Sequence, residues 1–153
     1  MNRDIKSLKQ TLYLQCKGMV EEKIQSLQAN LKGFQDAANE ETKSSAGDKY
    51  ETGRAMMHLE KEKVAHALNE VLKQKKVLDQ LGDQPMEQGE LGALIQTNKG
   101  YFYLSVSLGK MNCDGIDAFC LSPVSPLGQN LLGTKKGDQI TFNKISYSIE
   151  SIA

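Results

Sequence analysis

A chain of 153 residues, 39% apolar and 25% charged, has room for one ordinary domain or two small ones. Nineteen basic residues balance nineteen acidic ones, with fourteen against twelve up to Leu81 and five against seven beyond it, so no global field draws the chain to nucleic acid or an anionic membrane. The charged opening Met-Asn-Arg-Asp-Ile-Lys does not read as a signal peptide, no stretch approaches the ~20 apolar residues of a membrane span, and three cysteines without a CxxC pair suit a reducing cytoplasm.

From Ile5 the apolar residues recur in steps of three and four: Leu8, Leu12, Cys16, Met19, Val20, Ile24, Leu27, Leu31, Phe34 and Ala38. This is the stripe of a long amphipathic helix, weakened slightly by Gly18 and Gly33. A second stripe runs Met56, Leu59, Val64, Leu68, Val71, Leu78 and Leu81, again without proline. So narrow a seam does not hold a lone helix in water. The two are expected to fold against each other as an N-terminal antiparallel coiled-coil hairpin over 1–81, each arm roughly 50 Å long. His58 and His66 are eight apart, too far for a metal pair one helical turn apart, and read as surface residues.

Between the stripes, Ser44-Ser45-Ala46-Gly47 breaks the helix, and Asp48 or Ser45 is placed to cap the next one. An ordinary solvated turn is the plain reading. Against it stand four acids at one tip, Glu40, Glu41, Asp48 and Glu51, with Tyr50 and Arg54 one turn apart and Gly53 beside them. Such a tip suits Mg²⁺, which takes one or two carboxylates and completes its shell with other oxygens.

Residues 82–90, with Gly82, Pro85 and Gly89, read as a linker. Beyond it the period changes to that of strands. Leu91–Thr97 is one, Asn98-Lys99-Gly100 a tight turn, and Tyr101–Leu108 the partner. Ile116–Leu121 is a third, and Gln139–Phe142 with Ile145–Ile152 forms a hairpin around Asn143-Lys144. One short helix runs from Pro126 to Leu132, with Gly133 past its end. The fold class expected is α+β: a small antiparallel sheet wrapping one helix over 91–153, behind the hairpin. Gly128–Lys135 has the spacing of a phosphate loop, but Thr134 and Lys135 are in the wrong order and the motif ends a helix instead of starting one. Cys113 and Cys120 have no close Cys or His companion in sequence and read as packing residues.

The run Ser125-Pro126-Leu127 followed by Leu131-Leu132-Gly133-Thr134-Lys135-Lys136-Gly137-Asp138 resembles a signature of the bacterial Gre transcript-cleavage factors, GreA and GreB. The closing strand Tyr147-Ser148-Ile149-Glu150-Ser151-Ile152 is similar to the same family's last strand. The resemblance implies an FKBP-like C-terminal domain that docks on the rim of the RNA polymerase secondary channel, with Ser125, Pro126 and Leu127 in the docking surface. It implies a hairpin that enters the channel and lends tip acids to the polymerase's catalytic Mg²⁺, next to the 3′ end of backtracked RNA. On that resemblance the chain is no enzyme itself, carries no cofactor beyond the shared Mg²⁺, and is a monomer.

Aligning Tyr50 and Arg54 with the family's tyrosine and basic residue puts its two functional acids at Lys43 and Ala46. Glu41 and Asp48 flank those places and are the acids read as assisting the metal. Two readings follow: a reshaped tip that presents Glu41 and Asp48, or a tip that keeps the insertion but sets Lys43 and Lys49 against the polymerase acids. A reading from another class is a scaffold module, with the hairpin as a dimerisation element and the sheet as a peptide binder. A prolyl isomerase rests on the FKBP-like shape alone.

Overall fold

The computed structural model describes residues 4–43, 51–82 and 84–153, with the side chains of 4–37, 53–82 and 84–153. Two long helices open the chain, α1 (Ile5–Lys43) and α2 (Glu51–Gln80), as a hairpin. Asp4 caps α1: its carboxylate accepts from the Lys6 amide at 3.3 Å, and its carbonyl from the Leu8 amide at 3.0 Å.

The chain divides into two compact units, Met1–Lys17 with Lys76–Ala153, and Gly18–Lys75. In the second unit Val20 and Ile24 are buried, and Leu27, Leu31, Phe34, Val64, Leu68 and Val71 are half-buried. The α1 stripe thus faces inward as its spacing requires. The α2 stripe needs a correction at its start, because Met56 and Leu59 are 64% and 57% exposed. Met57, Val64, Val71 and Leu78 lie seven apart and keep one face of a supercoiled pair, and Met56 and Leu59 fall outside that register.

In the first unit the ends of both helices join a six-stranded sheet. Its strands are β1 (Leu94–Thr97), β2 (Gly100–Leu104), β3 (Gly109–Cys113), β4 (Ile116–Leu121), β5 (Gln139–Phe142) and β6 (Ile145–Ile152), in the order β3-β4-β2-β1-β6-β5. The short helix α3 (Pro126–Leu131) lies between β4 and β5 in the chain. The sheet is mixed, since β2 and β4 run parallel, with Phe102 opposite Phe119 and Tyr103 opposite Cys120. The cause is β3, a strand that the sequence reading did not include. The expected strand Tyr101–Leu108 stops at Leu104, the Ser105 amide bonds the Leu121 carbonyl at 2.9 Å, and the chain turns at Gly109 (φ 76°). β3 then pairs antiparallel with β4, which slots between β3 and β2.

Alternation along the strands gives the sheet two apolar faces. Ala93, Ile95, Phe102, Leu104, Tyr147 and Ile149 share one face with Leu131 of α3. Met111, Ala118 and Cys120 point to the other, where Cys16 of α1 meets them. Leu8, Leu12 and Cys16 are fully buried on this part of α1. Each leucine contributes about 1.5–3 kcal/mol by leaving water, so the helix ends are held by apolar burial. The Tyr13 hydroxyl adds a 3.0 Å bond to the Leu78 carbonyl, tying α1 to α2. The stretch 84–90 makes ordered contacts: Gln88 bridges Lys135, and the buried Gly89 exchanges bonds of 2.8 and 2.7 Å with Thr134 and Gly133.

The β5–β6 hairpin turns at Asn143 (φ 51°) and Lys144 (φ 65°), both left-handed, as a two-residue turn twisted like its strands demands. A lysine pays a steric cost there that glycine does not. Lys144→Gly is expected to raise stability by about 0.5–1 kcal/mol, read as a higher urea midpoint at unchanged slope.

Candidate functional site

The segment Ser122–Asp138 is built almost wholly by local hydrogen bonds. Ser125 is the N-cap of α3: its Oγ accepts from the Gly128 amide at 3.2 Å and donates to the Ser122 carbonyl at 2.6 Å. Pro126 occupies the first helical turn, where a missing amide costs nothing. Gly128 is buried, and a Cβ there would stand 2.1 Å from the Ser122 carbonyl oxygen. Past the helix, Gly133 takes φ 80° and the buried Thr134 hydroxyl donates to the Leu131 carbonyl at 2.7 Å. Gly137 takes φ 94°, and the Asp138 carboxylate accepts from the Lys135 amide at 2.8 Å. Most of this motif therefore shapes the chain and leaves few side chains to meet a partner.

What it positions is an apolar groove of about 510 Å³ beside α3. Phe102, Phe119, Leu121, Leu127, Ile145 and Tyr147 line it, together with Lys99. Phe102 stacks on Phe119 (centroids 5.9 Å, 24° between planes) and meets Tyr147 edge-on at 5.6 Å. Phe119 and Ile145 remain 44% exposed, so the groove presents apolar surface to solvent. Behind Phe119, the β3–β4 hairpin carries an exposed Asp117, whose pKa is lowered by hydrogen bonds from Asn112 and then Lys110. The groove's lining is mostly apolar, of the kind that suits an apolar side chain or helix face.

Of the residues singled out from sequence, Ser125, Pro126 and Leu127 come together here. Leu127 lines the groove and packs on the core, Pro126 is exposed beside it, and Ser125 serves the helix cap. Phe119, Ile145 and Tyr147 were not among them. The signal was present in Ala118-Phe119-Cys120-Leu121, which is apolar at both alternating sets once past Asp117, as befits a strand with a partner on each face. At the hairpin tip, Arg54 is exposed on α2, and the side chains of Glu40, Glu41, Asp48, Tyr50 and Glu51 lie outside the described residues. His58 and His66 are exposed, His58 facing Glu62 at 3.2 Å. Among the described residues no group of three or more His, Cys, Asp or Glu gathers as a metal site, and no helix is long and apolar enough to cross a membrane.

No protein-family model matches the chain, and no curated protein does. Solved structures do. The GreA factor homolog 1 (Gfh1) protein of Thermus thermophilus is 15% identical, with a TM-score of 0.37, over 90% of this chain and 94% of that one. A structure described as the transcription factor Gfh1 is 18% identical, with a TM-score of 0.34, over 92% of each chain. Thermus aquaticus Gfh1 is 15% identical, with a TM-score of 0.34, over 88% of this chain and 92% of its own.

Proposed function

We propose that this chain is a Gre-like transcription elongation factor that binds RNA polymerase. The observation that carries the reading is the Ser125–Asp138 run, which resembles the Gre signature in sequence and folds into the capped corner that sets Leu127 against the open groove. In this reading the groove takes an apolar patch on the rim of the polymerase secondary channel, and the hairpin enters the channel. The factor has no reaction of its own. Glu41 and Asp48 stand as the carboxylates lent to the polymerase's Mg²⁺, and Tyr50 and Arg54 as contacts of the tip with the channel. The nearby 3′ end of the RNA is met through the polymerase alone. The chain acts as a cytoplasmic monomer with no cofactor of its own.

Transcript cleavage tests this. Added to a backtracked elongation complex, the protein shortens the RNA from its 3′ end, and Glu41→Ala with Asp48→Ala abolishes the shortening while binding persists. Normal cleavage by that double variant ends the role of the tip acids. If the wild type cleaves nothing yet displaces a Gre factor from polymerase, the tip modulates without cleaving, through Lys43 and Lys49.

The open groove also favours a second reading, a scaffold whose sheet binds a peptide and whose helices pair with another copy. The mass in solution separates the two: a monomer for the polymerase factor, a dimer for the scaffold.

A further inference from the structure

Three sulfur atoms converge inside the first unit, on the sheet face opposite the groove. Cys16 of α1 lies 3.6 Å, sulfur to sulfur, from Cys120 of β4. Met111 of β3 closes the triangle, its Sδ 3.6 Å from Cys16 and 3.4 Å from Cys120. All three side chains are at least nine-tenths buried, with exposures of 0%, 2% and 4%. They come from three different elements, so only the fold assembles them.

We propose that Cys16, Cys120 and Met111 form a trigonal site for a soft monovalent cation, Cu(I). Two thiolates and a thioether are the donors that select Cu(I) over the harder divalent ions, and Zn²⁺ asks for four ligands of which a thioether is a poor one. With metal–sulfur bonds of about 2.3 Å, three sulfurs around a planar centre stand roughly 4.0 Å apart. The observed edges of 3.4–3.6 Å are a few tenths of an ångström short, so the ion enters by a small spreading of side chains. A disulfide between Cys16 and Cys120 would instead need their sulfurs to close to about 2.05 Å.

Without metal the three sulfurs satisfy one another by weak S–H···S bonds. The bond to Cys16 and then burial push the Cys120 thiol pKa up, and the same bond lowers that of Cys16. On binding, Cu⁺ replaces the two thiol protons, which leave to solvent, and the centre keeps its oxidation state. Cys113 is not a ligand. Its thiol donates to the Gln15 Oε1 at 2.6 Å, and the Gln15 amide in turn donates to the Asn112 carbonyl at 3.0 Å.

The test is anaerobic titration of the full chain with Cu(I), supplied as its acetonitrile complex, against the chromophoric chelator bicinchoninate. One equivalent of Cu(I) is withheld from the chelator, and X-ray absorption finds sulfur alone at about 2.3 Å. Cys16→Ala loses the retention, Met111→Leu weakens it roughly tenfold or more, and Cys113→Ala keeps it. Circular dichroism on each variant separates loss of the site from loss of the fold, and absorption on the wild type stands whether or not they fold. The proposal is overturned if the chelator takes all the copper from the wild type, or if oxygen or nitrogen fills the first shell. It is equally overturned if folded Cys16→Ala retains the metal.

Discussion

Gly128→Ala is expected to destabilise the sheet-bearing unit by about 3 kcal/mol, lowering Tm by roughly 12–24 °C. The added Cβ would lie 2.1 Å from the Ser122 carbonyl oxygen, 2.7 Å from the Ser125 Oγ and 3.1 Å from the Pro123 Cα. Two of those atoms are backbone and the third is the cap, so nothing flexible can give way. Relief requires α3 to lift from the Ser122 turn, which breaks the cap bonds at 2.6 and 3.2 Å and draws Leu131 out of the core. Gly133→Ala is the control. It sits at φ 80° with open space around it, and costs only the ~1 kcal/mol of a left-handed alanine. Thermal unfolding of the two variants side by side separates a close approach from a conformational preference. Equal costs would remove the packing explanation.

Phe119→Asp is expected to cut affinity for RNA polymerase by about 30-fold or more, the loss of one central apolar anchor. Phe119 stacks on Phe102 in the groove wall yet is 44% exposed, so the fold keeps most of its stability without it. The new carboxylate must lose much of its water if an apolar partner is to seat there, a cost that Lys110, opposite it on β3, offsets only in part. Leu91→Asp, an exposed leucine outside the groove, is expected to leave binding within twofold or so. Equilibrium binding to purified polymerase, with circular dichroism as a check on folding, reads both. If the two substitutions weaken binding equally, the groove is not the docking surface.

The helices were legible because their signal is repetitive. Eleven apolar residues at helical spacing define α1, and every one with a described side chain is buried or half-buried. Met56 and Leu59 were misread because a stripe of period three or four admits neighbours on either side, and only the sevenfold run Met57–Leu78 picks the inner one. Strand β3 was missed although Asp114-Gly115 announces its hairpin, with both residues in the left-handed region (φ 51° and 87°). The polar Lys110 and Asn112 alternate with Met111 and Cys113 in a strand only five residues long, too brief for periodicity to stand out. Parallel pairing of β2 with β4 is not local and leaves no mark on either strand. The corner around α3 was legible in its ends, Pro126 in the first turn and Gly133 as stop, but the cap formed by Ser125 was not read. The groove beside it was not. Its walls come from β2, β4, α3 and β6, residues up to 45 positions apart between Phe102 and Tyr147, and only tertiary structure sets them side by side. The same holds for the sulfur triangle, since Cys16 and Cys120 are 104 residues apart.

The measurement closest to the central claim is equilibrium binding of the labelled protein to bacterial RNA polymerase in competition with an authentic Gre factor. A saturable complex of one copy per polymerase, displaced by the competitor and lost with Phe119→Asp, is the predicted result. Absence of a complex, or one that the competitor leaves untouched, would contradict it.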